Sequence, residues 1–180
     1  MGKVRALVSM PTKPEYKEQF LRALPGMEVT FARFSELNDG QLAGFDLVVG
    51  NPEEGVLPKL RGMKLLQLNS SGVAAHYLAY GKQHPELVLC SASGAYGQGI
   101  SELMLAALLA LMKRLHQYRD AMQEGAWQSK GSVRSPRDMR VLVVGAGSIG
   151  TEFAKLMRQL GSHTIGLRRG PGGSMEGFDE

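Results

Sequence analysis

Chemistry in this chain is most concentrated where glycines repeat at close spacing, in Gly145-Ala146-Gly147-Ser148-Ile149-Gly150. Such a run says little alone, and much more when it follows a strand and opens a helix inside a βαβ unit of roughly 30 residues. Val141-Leu142-Val143-Val144 precedes it, a branched apolar run suited to a parallel strand buried on both faces. Ile149, Phe153, Leu156, Met157 and Leu160 then recur at helical spacing. Gly161 suits the end of that helix, where a positive φ carries no Cβ penalty, and Thr164-Ile165-Gly166-Leu167 reads as the second strand.

The glycines divide the work. Gly145 permits the tight turn, Gly147 lets the backbone approach a pyrophosphate, and Gly150 lets the helix pack closely on the strand. The helix start at Ser148 and Ile149 supplies free N–H groups and positive dipole for phosphates. A glycine-rich turn without a ligand is the plainer alternative. At the end of the second strand an acidic side chain would read the 2′-hydroxyl of NAD. Arg168-Arg169 stand there instead, and a guanidinium fork matches a phosphate in charge and shape, so the pair favours NADP(H) over NAD(H). A solvated basic turn is the alternative. The missing acid also argues against an adenosylmethionine site.

The elements that must position this unit come earlier. Residues 4–8, 27–31, 45–49, 64–68 and 87–90 read as short strands, and residues 14–24 as a helix ended by Pro25-Gly26. Strands alternating with helices predict a doubly wound, mainly parallel sheet. Ligands collect at the carboxyl ends of such strands, where Gly50-Asn51-Pro52 and Asn69-Ser70-Ser71-Gly72 would lie. Ordinary turn chemistry also accounts for both loops. Residues 91–99 are small and flexible in type and read as a hinge leading into one long helix over 100–123. That helix is apolar nearly all round through Met112 and must be covered on several sides, by both domains or by a second subunit. Residues 123–138 read as a connector. The division predicted is a substrate domain over 1–95, a hinge, helix and connector over 96–138, and the start of a dinucleotide-binding domain over 139–180.

A chain of 180 residues with 43% apolar content is ordinary for a soluble globular protein. A net charge of +4 is scattered and forms no like-charge block, which argues against nucleic acid as partner. The single cysteine, Cys90, makes no internal disulfide and no metal-ligand cluster with His76, His84, His116 or His163, so a reducing cytoplasm is expected and no metal. The start, Met1-Gly2-Lys3-Val4-Arg5, lacks a long apolar signal segment, and the apolar run over 103–112 is too short to span a bilayer, so no membrane role is expected.

Three blocks resemble the D-isomer-specific 2-hydroxyacid dehydrogenases, most closely their glyoxylate/hydroxypyruvate reductase-like branch. They are Leu66-Gln67-Leu68-Asn69-Ser70-Ser71-Gly72-Val73, Gly94-Ala95-Tyr96-Gly97-Gln98-Gly99-Ile100-Ser101-Glu102, and residues 140–150 with Leu167-Arg168-Arg169. The resemblance implies a flavodoxin-like substrate domain, a long hinge helix and the first βαβ unit of a Rossmann domain. It also implies hydride transfer between a nicotinamide cofactor and C2 of a small 2-keto or 2-hydroxy acid. By the same resemblance Ser70, Ser71, Gly72 and Val73 offer backbone N–H groups to the substrate carboxylate, Tyr96 faces the cleft, and Glu102 anchors the helix start. The family often has Asp where this chain has Ala74. A homodimer through the hinge-helix region is expected.

That chemistry needs a proton donor beside the keto oxygen and a cation for the carboxylate, roles suited to an imidazole beside a carboxylate and to a guanidinium. The family supplies a His–Glu pair and an Arg in strings such as Asn-x-x-Arg-Gly and Pro-His, and neither string occurs here. The four histidines read as surface or packing residues. Only one βαβ unit follows Arg140 and the tail over 170–180 suggests no third strand, so the chain is expected to be an inactive fragment of a longer enzyme with no catalytic residue of its own. A non-catalytic nucleotide sensor or corepressor-like relative, and a purely structural module, are the other classes open.

Overall fold

The computed structural model describes residues 2–170 and 175–180, in two compact units, Met1–Ser93 and Gly94–Glu180.

In the first unit the branched apolar runs form five parallel strands: β1 (Arg5–Ser9), β2 (Glu28–Phe31), β3 (Leu47–Gly50), β4 (Leu65–Gln67) and β5 (Val88–Cys90). Their order is β2-β1-β3-β4-β5, the flavodoxin-like arrangement, with its topological switch between β1 and β3. Register runs from Ala6 opposite Leu47 to Ser9 opposite Gly50, which brings the loops after β1 and β3 side by side. Leu7, Val48 and Leu66, neighbours across three strands, are fully buried with Leu57, Leu60 and Leu68. Helices α1 (Pro14–Ala23), α2 (Asp39–Leu42) and α3 (Ala75–Gln83) connect the strands, but the β3-to-β4 crossover holds only a short 3₁₀ turn, Leu57–Lys59. Pro14 starts α1 where its missing N–H is no loss, yet α1 buries none of its residues.

Asp46 ties the amino ends of the central strands. Its carboxylate accepts from Lys64 Nζ at 2.7 Å and from the Arg5 N–H at 3.1 Å. The Lys64 hydrogen bond, helped by the Arg5 N–H, holds this carboxyl below its usual range.

In the second unit β6 (Arg140–Val144) and β7 (His163–Leu167) pair in parallel, from Arg140 opposite His163 to Val144 opposite Leu167. Helix α6 (Ser148–Gln159) makes the crossover and buries Phe153, Ala154 and Met157 against Val143. Helix α4 (Gly97–Met112) brings Leu105 and Leu108 to the same cluster. The strand expected to be buried on both faces is covered on one: Leu142 is 58% and Val144 76% exposed. Leu103 and Leu111 of α4 are likewise exposed within this unit.

The single helix expected over 100–123 is two. After α4 the chain turns through Arg114, at φ +56°, and resumes as α5 (Leu115–Gln123). No Gly or Pro marks the break. Tertiary partners hold it: Arg114 Nε donates to the Ser132 carbonyl at 3.2 Å, its guanidinium lies against Gly131, and the Arg134 N–H satisfies the Met112 carbonyl at 3.1 Å.

Of the tail expected to bring no strand, residues 171–174 lie outside the described residues, and the end of it returns to β7. The Glu180 N–H donates to the Thr164 carbonyl at 3.2 Å and the Gly166 N–H to the Glu180 carbonyl at 2.8 Å, beside a sheet whose strands are β6 and β7. Asp179 accepts from the Thr164 N–H at 2.8 Å and from its hydroxyl at 3.1 Å, with Arg158 Nε at 3.1 Å. Among the described residues, no helix is long and apolar enough to cross a membrane.

Candidate functional site

The second unit gathers its chemistry where β6 and β7 end. Gly145 leaves β6 at φ +105°, and the N–H groups of Gly145 and Ala146 both donate to the Leu167 carbonyl, at 2.8 and 3.1 Å. The turn is thereby stitched to the end of β7. Gly147 caps α6 with no side-chain acceptor, and the first helical bond runs from the Thr151 N–H to the Gly147 carbonyl at 2.8 Å. Ser148, Ile149 and Gly150 therefore have N–H groups without an intrahelical partner, at the positive end of the helix dipole.

The glycines that spacing alone treats alike are under different constraints. A Cβ on Gly150 would run into the Gly145 carbonyl oxygen and stand 3.0 Å from Val143 Cγ1, so packing of α6 on β6 requires glycine there. Gly147 has φ −97°, open to any residue, and a Cβ on it would meet no atom within 4 Å. The fold makes no demand for glycine at 147. What lies beside it is a hollow of about 700 Å³ walled by Val144, the glycine loop, Leu167, Arg168 and Arg169. The donors, the space at Gly147 and the two exposed guanidinium side chains fit the phosphates of a dinucleotide.

Tyr96 falls in this same unit. It immediately precedes α4 and is 42% exposed, while the next residue, Gly97, packs so closely on the start of α6 that a Cβ would stand 3.1 Å from Glu152 Cγ and 3.4 Å from Ser148 Oγ. Glu102 accepts a hydrogen bond from Gln98 Nε2 at 2.9 Å on the first turns of α4.

In the first unit Ser70, Ser71, Gly72 and Val73 join β4 to α3, at the carboxyl end of the sheet. Ser70 Oγ donates to the Gly72 carbonyl at 2.8 Å and the Ala92 N–H to the Ser70 carbonyl at 2.9 Å, which fixes the loop. Neither bond uses the N–H groups of Ser71, Gly72 and Val73. Two locks went unread in the sequence: Asn51 Oδ1 accepts the Asn69 N–H at 3.1 Å, and the buried Tyr77 hydroxyl donates to the Pro52 carbonyl at 2.9 Å. Asn51-Pro52 and Asn69 are turn-forming types, the one signal that pointed to them.

The histidines stand away from the glycine loop or in the other unit. His163 Nε2 is 2.7 Å from Glu180 Oε1, and His84 Nδ1 is 3.3 Å from Glu86 Oε1, but these imidazole–carboxylate pairs sit at the amino ends of β7 and β5. His76 lies on the first turn of α3 with its ring 4.0 Å from that of Tyr77, and His116 lies on α5. Among the described residues no three His, Cys, Asp or Glu side chains are grouped to hold a metal.

Comparison with known proteins agrees with this geometry. Residues 105–176 match the family described as D-isomer specific 2-hydroxyacid dehydrogenase, NAD binding domain. A D-lactate dehydrogenase of Streptococcus agalactiae is 25% identical over 134 residues, 70% of this chain and 40% of that protein. A D-isomer specific 2-hydroxyacid dehydrogenase family protein from Aeromonas salmonicida superposes with a TM-score of 0.85 at 23% identity, over 99% of this chain and 57% of that one. A D-isomer specific 2-hydroxyacid dehydrogenase from Xanthobacter autotrophicus, solved with NADPH and MES, gives 0.73 at 22% identity, over 99% and 56%. The chain thus spans about half the length of the relatives it matches. With a flavodoxin-like parallel sheet in one unit and a glycine-loop βαβ unit in the other, the chain shares its fold with these proteins, and residues 105–176 are similar to the NAD binding domain of the D-isomer specific 2-hydroxyacid dehydrogenases.

Proposed function

We propose that residues 94–180 hold the phosphates of NADP(H), and that Ser70, Ser71, Gly72 and Val73 bind the carboxylate of a small 2-keto or 2-hydroxy acid, in an oxidoreductase of the glyoxylate/hydroxypyruvate reductase-like branch. When bound, the nicotinamide supplies or accepts the hydride at C2. The chain's own part is to bind and orient. The N–H groups of Ser148, Ile149 and Gly150 receive the pyrophosphate, Gly147 gives it room, and Arg168 and Arg169 take the 2′-phosphate. The loop over 70–73 offers backbone donors to the carboxylate. The observation that carries this reading is Gly147, a glycine that neither backbone conformation nor packing requires, beside a hollow with helix N–H groups and arginines around it. Among the described residues no imidazole lies at the carboxyl ends of β6 and β7, which supports a reading in which this chain's part is cofactor binding. The exposed Leu103, Leu111, Leu115 and Met122 of α4 and α5 support a homodimer through these helices.

Titration with NADPH and NADH tests the reading. Replacing both arginines, Arg168→Ala with Arg169→Ala, should weaken NADPH by about 10- to 100-fold, the loss expected for charge-assisted bonds to a phosphate, and change NADH by less than about threefold. Equal losses for both would refute the 2′-phosphate assignment, and binding of neither would refute the cofactor site.

A further inference from the structure

A second group of ligand-binding features lies in the first unit, where β1 and β2 end. Segments 9–12 and 31–33, with Lys17 and Glu36, enclose a hollow of about 390 Å³. Lys17, on α1, holds its ammonium 5.3 Å from the centre of the Phe31 ring, which forms part of the wall. Arg33, exposed like Lys17, belongs to the same wall. Among the described residues, neither cation has a carboxylate within ion-pair distance. Glu36, also on the wall, turns its carboxylate to the Arg33 N–H at 2.9 Å. The charged lining therefore carries one more positive than negative side chain.

Residues Met10, Pro11 and Thr12 also wall a second hollow of about 290 Å³, which is apolar and backed by Tyr16, Phe20 and Ala23 of α1. Phe20 and Phe31 meet edge to face with ring centres 6.2 Å apart, so an aromatic contact joins the two walls. Because α1 buries none of its residues in the core, this apolar face is not consumed by folding. An excess of cations over anions on one side of a short ridge and exposed aromatic surface on the other describe a receptor for an amphipathic anion. One excess positive charge suits a monoanion better than a phosphate dianion.

We propose that these paired hollows bind a small amphipathic carboxylate, an aryl or acyl acid, with its carboxylate between Lys17 and Arg33 and its apolar part across segment 10–12 against Tyr16 and Phe20. The site is separate from the loop over 70–73. In the order β2-β1-β3-β4 the β1–β2 boundary is two and a half strand spacings from β4, about 12 Å at the usual interstrand distance.

The test is calorimetric titration of the chain with 3-phenylpropionate, alongside the neutral 3-phenylpropanamide. Saturable binding is expected for the acid, at least about tenfold weaker for the amide and for Lys17→Gln with Arg33→Gln, and retained in Lys17→Arg. Both side chains project at the surface rim, so unchanged melting temperatures would show that the variants fold. Absence of saturation at about 10 mM, where a site with a Kd of about 1 mM is nine-tenths filled, overturns the proposal. So does equal binding of the amide. Wild-type affinity in the double variant would also overturn it and would assign the carboxylate to the loop over 70–73.

Discussion

Gly147 and Gly150 should fail in opposite ways when each is changed to alanine. At 150 the new methyl meets the Gly145 carbonyl and Val143 Cγ1, and the first of these is backbone that cannot swing aside. Overpacking costs about 1–3 kcal/mol, here toward the upper end, and the helical gain of alanine over glycine returns about 1 kcal/mol. The net loss is about 2 kcal/mol, localised to the contact of α6 with β6. Hydrogen exchange read by mass spectrometry on peptides covering β6 and β7 should show opening about 30-fold faster, since each 1.4 kcal/mol is a factor of ten. At 147 the methyl enters open space at an unstrained φ, so exchange should stay within about 0.5 kcal/mol of wild type while NADPH binding falls by at least about tenfold. Wild-type exchange in Gly150→Ala would refute the packing argument. Unchanged NADPH affinity in Gly147→Ala would refute the phosphate approach.

Other perturbations follow from the same geometry. The Asp179 carboxyl is held below its ordinary value of 3.8, first by the Thr164 N–H and then by the Thr164 hydroxyl, Arg158 and His163. A depressed folded pKa means the stabilisation is present above the unfolded pKa and is lost as pH falls through the folded one. Protection of the Thr164 and Gly166 amides should therefore hold at pH 6 and drop below pH 3.8, and Asp179→Asn should remove that dependence; flat protection down to pH 2 would contradict it. Tyr77→Phe deletes the buried bond to the Pro52 carbonyl and should lower urea stability of the first unit by about 1–2 kcal/mol, an effect below 0.3 kcal/mol counting against the lock. Arg114 sits in the left-handed region, so Arg114→Gly should be about 1 kcal/mol more stable than Arg114→Ala by denaturant midpoint, and the reverse order would show that the turn is unstrained.

The strands were legible to within about two residues because apolar runs bounded by Gly, Pro and Asn admit few alternatives; β3, followed by Asn51-Pro52, and β6, followed by Gly145, show it. The break at Arg114 was not legible, since the residues that hold it, Gly131, Ser132 and Arg134, lie beyond the helix and only the folded chain brings them back. Spacing picked out the glycine loop but could not separate a glycine required by packing from one required by open space. The Lys17–Arg33 hollow was invisible for another reason. Its residue types are ordinary and spread over 9–36, and only the end-on pairing of β1 with β2 makes them neighbours.

The strand order of the first unit also bears on how the chain emerges from the ribosome. After β2 joins one side of β1 and β3 the other, β4 adds to β3 and β5 to β4, each to the edge its predecessor has just left open. Synthesis and sheet growth run in the same direction. A nascent chain stalled between β4 and β5 would carry a nearly finished sheet whose Leu65–Gln67 edge still has unpaired N–H and C=O groups, a template for pairing with a neighbouring chain. Emergence of residues 88–90 closes that edge, so a pause that leaves residue 67 outside the ribosome and residues 88–90 still inside it would be most damaging to yield.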